Sequence, residues 1–107
     1  MNASIKILFS IFFAIAIGVH IHELTVSDAE PLWWHSIYFL TYGVCWWMIF
    51  SKNKHRHWIY LSMAIFPFIM HVYYGYQHLQ LLDDSFWVCV IVCVLLPLGF
   101  IWLRKEI

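Results

Sequence analysis

Charge is what this chain has least of: six Lys and Arg and six Asp and Glu in 107 residues, 11% of the sequence against 64% hydrophobic residues. A soluble domain of this length needs a polar coat that so few charges cannot make, so a water-soluble globular unit is excluded. Four glycines and three prolines leave no Gly/Pro-rich linker or low-complexity segment, and nothing divides the chain into domains. Only three cysteines are present, Cys45, Cys89 and Cys93. They form no CxxC pair and lie in apolar surroundings, where cysteine acts as a small packing residue. There is no Gly-rich phosphate loop, no HExxH and no nucleophile elbow, so an enzyme is not expected on motif grounds. Nothing marks a nucleic-acid partner.

What is abundant is apolar and aromatic side chain, arranged in four blocks rather than in alternation. They cover about residues 5–24, 33–50, 58–80 and 86–103. Each is about long enough to cross a hydrocarbon core of roughly 30 Å. Lipid offers no partner for free backbone N–H and C=O groups, so each block is expected to be a helix. The connections are short, and adjacent helices should pack antiparallel. The expected fold is an all-α, integral membrane, up-down-up-down four-helix bundle forming one domain. Pro67 and Pro97 fall inside the third and fourth blocks, where each removes a backbone donor.

The few charges are segregated. Lys6, Lys52, Lys54, Arg56, Arg104 and Lys105 fall on one side of the four spans, and Glu23, Asp28, Glu30, Asp83 and Asp84 on the other. The positive-inside rule makes the basic side cytoplasmic and predicts both termini inside, as in a bacterial cytoplasmic membrane. Lys6 followed by an apolar run also admits a cleaved signal peptide, which would leave three spans; "VHIHEL" argues against it by continuing into polar residues without a small-x-small site. Trp33 and Trp34, Trp46 and Trp47, Trp58, Trp87 and Trp102 lie near span ends, where indole rings anchor in the headgroup region.

Seven histidines are a large number for so apolar a chain. At about 1.5 Å per helical residue, His20 lies about 21 Å from Lys6, His71 about 20 Å from Trp58, and His35 about 22 Å from Phe50. Three spans therefore bring an imidazole to one level in the outer half of the membrane. Glu23 and His78 fall on the same faces as His20 and His71, nearer the surface, while His22 points elsewhere. Polar groups at such depth face the bundle or a wet cavity and find partners. Imidazole suits iron, copper, zinc and haem, so His20, His35 and His71 are candidate cofactor ligands. Glu23 and His78 are further metal donors, and Tyr38, Tyr42 and Tyr74 supply hydrogen bonds. The alternative is an interfacial or structural histidine cluster linked by hydrogen bonds across helices. His55 and His57 belong to the loop "SKNKHRH", where contact with anionic lipid headgroups is expected.

"HVYYGYQHL", residues 71–79, resembles the haem-ligating helix of the cytochrome b membrane subunits of succinate dehydrogenase, in which a His, three residues, a Gly, a basic residue beside a second His and an aspartate follow in order. His71, Gly75 and His78 match the first His, the Gly and the second His, while Gln77 stands in place of the basic residue and Asp83 falls one residue late. The resemblance implies haem b on His71, with Gly75 allowing close approach at the haem face. Two functional classes follow from the whole sequence. One is a redox or metal-handling membrane module. The other is a non-catalytic accessory subunit or immunity-type protein, whose partners are the lipid bilayer and a membrane protein or a second copy. A small transporter has the right size but lacks a central membrane carboxylate.

Overall fold

A computed structural model describes residues 2–26 and 32–106, and the regular structure among them is entirely helical: α1 (Ala3–Val26), α2 (Leu32–Phe50), α3 (Arg56–Gln77) and α4 (Asp84–Lys105). The four expected helices are present, with limits within three residues of those read from the sequence. Asp28 and Glu30, counted among the outer acidic residues, lie outside the described residues. α1, α3 and α4 are each long and apolar enough to cross a membrane. α2, of 19 residues, is not among them, and carries His35, Ser36, Thr41 and four tryptophans. It packs between α1 and α3, which buries His35 and Thr41 and leaves Trp33, Ser36 and Trp47 exposed.

Neighbouring helices run antiparallel, as their contacts show. Along α1 and α2, Phe13 meets Tyr42 while His20 meets His35. Along α2 and α3, Cys45 reaches Tyr60 and Tyr38 reaches Phe66. Along α3 and α4, the Arg56–Glu106 ion pair lies at one end and Gly75 against Cys89 toward the other. The core is aromatic: Phe9, Phe13, Tyr38, Tyr42 and Tyr60 are almost wholly buried and are joined by Ile49, Leu96 and Leu103. Large apolar residues of every helix point outward, Trp47 at 70% exposure and Ile15 at 62% among them. Apolar surface on this scale calls for a hydrocarbon or protein neighbour rather than water.

Two close approaches set the α3–α4 packing. The Tyr60 hydroxyl donates to the Leu96 carbonyl at 2.8 Å, and a β-carbon at position 99 would overlap that hydroxyl. Glycine at 99 is what lets the ring lie against α4. Gly75 does the same less tightly, with Cys89 Cβ 3.2 Å from where its own β-carbon would stand. The close approach that Gly75 permits is therefore with α4.

The α3–α4 turn explains where α3 stops. The expected helix ran to residue 80, but the regular helix ends at Gln77, with His78 as its C-cap. Asp83 accepts from the His78 Nδ1 at 2.9 Å and caps α4 by accepting from the Phe86 amide at 3.0 Å. Those bonds, the Phe86 amide first and the His78 imidazole second, hold the Asp83 carboxyl below the usual carboxylate range. Leu82 takes a left-handed φ of 47° to close the turn, an uncommon conformation for leucine.

The α1 and α4 helices close the bundle at one end, where Phe9 meets Trp102 edge-to-face at 5.7 Å. Further along they border a cleft of about 330 Å³, walled by Ile11, Ile15, Val88 and Ile91 and reaching His20, Tyr42 and His71.

Candidate functional site

Of the three histidines placed at one depth by helical rise, His20 and His35 meet, and His71 lines the same cavities as His20. His20 of α1 and His35 of α2 face each other with Nδ1 to Nδ1 at 3.3 Å. Two ring nitrogens at that distance share one proton: one ring carries N–H and donates, and the other presents its lone pair. The His20 ring stacks on Tyr38 at 4.1 Å between centroids, nearly parallel, and lies 5.9 Å from the Tyr42 ring. His35 is buried at 1% exposure. This pair is therefore fixed by packing on both sides.

His71 of α3 also meets Tyr38, its ring 6.2 Å from that tyrosine and edge-on to it. Its Nδ1 donates to the Pro67 carbonyl one turn earlier at 2.6 Å. That bond assigns the proton to Nδ1 and leaves Nε2 with a lone pair. A ring nitrogen tied to a backbone carbonyl while the other is presented outward is the usual support of a metal-ligating histidine.

A second cavity of about 330 Å³ continues outward from the cleft and collects most of the expected residues: His20, Glu23, Tyr38, His71, Tyr74 and His78 all line it. Trp34, Asp84, Ser85 and Cys89 complete much of its wall. Both cavities share Val19, His20, His71 and Val88, so a polar outer chamber opens onto an apolar cleft. Glu23 is exposed at its rim, and His22 is exposed on another face of α1. His78 lines the chamber while its Nδ1 is engaged with Asp83. Gly75 lies against α4 rather than in this wall.

The convergence is paired rather than multiple. Among the described residues, no group of three His, Cys, Asp or Glu side chains stands close enough to hold a metal ion. Two imidazoles do meet, and His71 and Glu23 line the chamber with one of them, His20. One feature of the site escapes sequence reasoning altogether. The Tyr42 hydroxyl is fully buried on the cleft wall and has no hydrogen-bond partner among the described residues. A buried hydroxyl without a partner costs free energy and marks a place where a polar atom would be welcome.

Comparison of the chain with known protein families, with curated proteins and with solved structures finds no match in any of the three.

Proposed function

We propose that the chain is an integral membrane bundle of four transmembrane helices in a bacterial-type cytoplasmic membrane, with both termini cytoplasmic, that binds one transition-metal ion between His20 and His35. His71, Glu23 and the tyrosines Tyr38 and Tyr74 line the chamber beside His20 as support rather than as ligands. The observation that carries this reading is the 3.3 Å separation of the His20 and His35 Nδ1 atoms. Two imidazoles bound to a tetrahedral ion at about 2.0–2.1 Å have their nitrogens about 3.3–3.4 Å apart. An ion takes the place of the shared proton once the N–H ring moves its proton to Nε2, so that both Nδ1 atoms present lone pairs. Direct contact between these two rings leaves no room for a porphyrin between them, which favours a bare ion over haem b. Zinc, copper and iron all accept such nitrogen donors. The role is metal handling or one-electron chemistry in the outer half of the membrane.

Cobalt(II) titration of the detergent-purified protein tests the reading. Ligand-field bands should appear in the wild type and in His22→Ala, whose side chain lies away from the chamber, and be lost in His20→Ala and in His35→Ala. Bands that persist unchanged in both of the latter variants would refute it.

The accessory-subunit reading draws on the cleft between α1 and α4, an apolar opening along one side of the bundle. It predicts a partner that co-purifies and is retained when His20 and His35 are substituted.

A further inference from the structure

At the opposite end of the bundle from the histidine chamber, the α2–α3 connection forms a prebuilt basic cup. The loop between Phe50 and Arg56 holds its own shape: Ser51 Oγ accepts from the Asn53 amide at 3.1 Å and Asn53 Oδ1 from the His55 amide at 2.8 Å. Arg56 Nη1 donates to the Ser51 carbonyl at 2.8 Å, and the same guanidinium pairs with Glu106 beyond the end of α4. The result is a cavity of about 480 Å³ in whose wall, among the described residues, Lys6, Lys52, Lys54 and Arg56 face one carboxylate, Glu106. Lys6 is held over the Phe50 ring, 5.6 Å from its centroid, at the apolar edge of the cup.

A group of surface lysines would not by itself make a site. The deciding observation is His57. It lines the same cavity, is only 5% exposed, and its Nδ1 is buried without a hydrogen-bond partner. A buried ring nitrogen in that condition is costly unless something supplies an acceptor or donor. The cup also lies at the start of α3, a 22-residue helix whose N-terminal end favours negative charge.

We propose that this cup binds a phosphate group, with Lys6, Lys52 and Lys54 neutralising its charge and the His57 ring donating from Nδ1 to one of its oxygens. Arg56, already paired with Glu106, shapes the wall. The position beside Phe50, at the end of a helix with an apolar outer face, suits the phosphate of a lipid headgroup; a free phosphate offers the same oxygens. This site is independent of the metal reading and stands or falls separately from it.

The test measures binding of a soluble short-chain phosphatidic acid and, separately, of inorganic phosphate to the full-length protein in a zwitterionic detergent. Each lysine near such a surface contributes about fivefold in affinity, so Lys52→Gln/Lys54→Gln should weaken phosphatidic acid binding about 30-fold. Arg104→Gln/Lys105→Gln removes the same charge from residues outside the cup and should change it less than threefold, a bound set well below that expectation. Far-UV circular dichroism reports whether each variant stays folded, and Lys6→Gln, which removes one half-buried cup lysine, should weaken binding about fivefold. Competition by inorganic phosphate at similar concentration would identify a free phosphate as ligand; phosphatidic acid binding without such competition would identify the lipid headgroup. Equal losses in the 52/54 and 104/105 pairs, or no binding of either phosphate, would overturn the proposal.

Discussion

Replacing Gly99 by alanine is the sharpest test of the packing described above. In a helix interior the exchange ordinarily favours alanine by about 0.8–1 kcal/mol, because glycine loses more backbone freedom on folding. At position 99 the added β-carbon would occupy the space of the Tyr60 hydroxyl and Cζ. Tyr60 is fully buried and cannot swing into solvent. Overpacking of this kind costs about 1–3 kcal/mol. Displacing the hydroxyl from the Leu96 carbonyl adds about 0.5–1.5 kcal/mol. Sterics therefore win, and Gly99→Ala should be destabilised by about 0.5–3.5 kcal/mol after the propensity gain is set against these costs. Gly18 and Gly43 are the controls, since a β-carbon at either meets nothing within 4 Å. Gly18→Ala and Gly43→Ala should be neutral or more stable. Reversible unfolding in mixed micelles, followed by far-UV circular dichroism, compares the three. If Gly99→Ala unfolds at the same denaturant fraction as Gly43→Ala, Tyr60 is not seated against α4 as described.

Three further outcomes follow from particular contacts. Trp46→Phe removes the indole N–H that donates to Ser10 Oγ at 3.0 Å and should cost about 0.5–1.5 kcal/mol; Ser10→Ala should cost a similar amount, and the double variant less than the two together in the same unfolding assay. The Asp83 carboxyl is held below its ordinary pKa, so the stability it adds is complete above about pH 4–5, where the unfolded-state carboxyl is ionised, and is lost as pH falls through the folded value. Hydrogen exchange at the Phe86 amide should accelerate at that acid end in the wild type and show no such step in Asp83→Ala. Reporter fusions at the two ends of the chain should both read cytoplasmic, and a reporter in the α3–α4 turn external; any other pattern contradicts the orientation drawn from the lysines and arginines.

Much of the architecture was legible because lipid-compatible sequence has few options. Four apolar blocks separated by short polar connections leave little besides four antiparallel helices, and helical rise alone put His20, His35 and His71 at one level. What the pattern did not contain is just as physical. Periodicity cannot show that Gly99 yields its space to a tyrosine thirty-nine positions earlier in the chain, nor that Gly75 faces Cys89, because both depend on how α3 meets α4. Nor could it show that Tyr42 would be buried without a partner, which depends on α1 and α4 diverging beyond Phe9 and Trp102. His57 was read as part of an exposed loop; α3 begins at Arg56 rather than at residue 58, and that extra half-turn takes His57 inside. His78 fell on the expected face of α3, yet Asp83 captures its Nδ1, a local bond that spacing along a helix does not reveal. Turn residues 78–82 illustrate the same limit, since the left-handed Leu82 carries none of the usual Gly or Asn signal.

The central claim is that the His20–His35 contact is a metal site, and metal content measures it most directly. Elemental analysis of the detergent-purified protein from metal-replete cells, run beside His20→Ala/His35→Ala purified in the same way, should find near-stoichiometric zinc, copper or iron in the wild type and none in the variant. A wild-type protein without metal, or a variant that carries as much metal as the wild type, would contradict the account and leave the two imidazoles as a hydrogen-bonded pair joining α1 to α2.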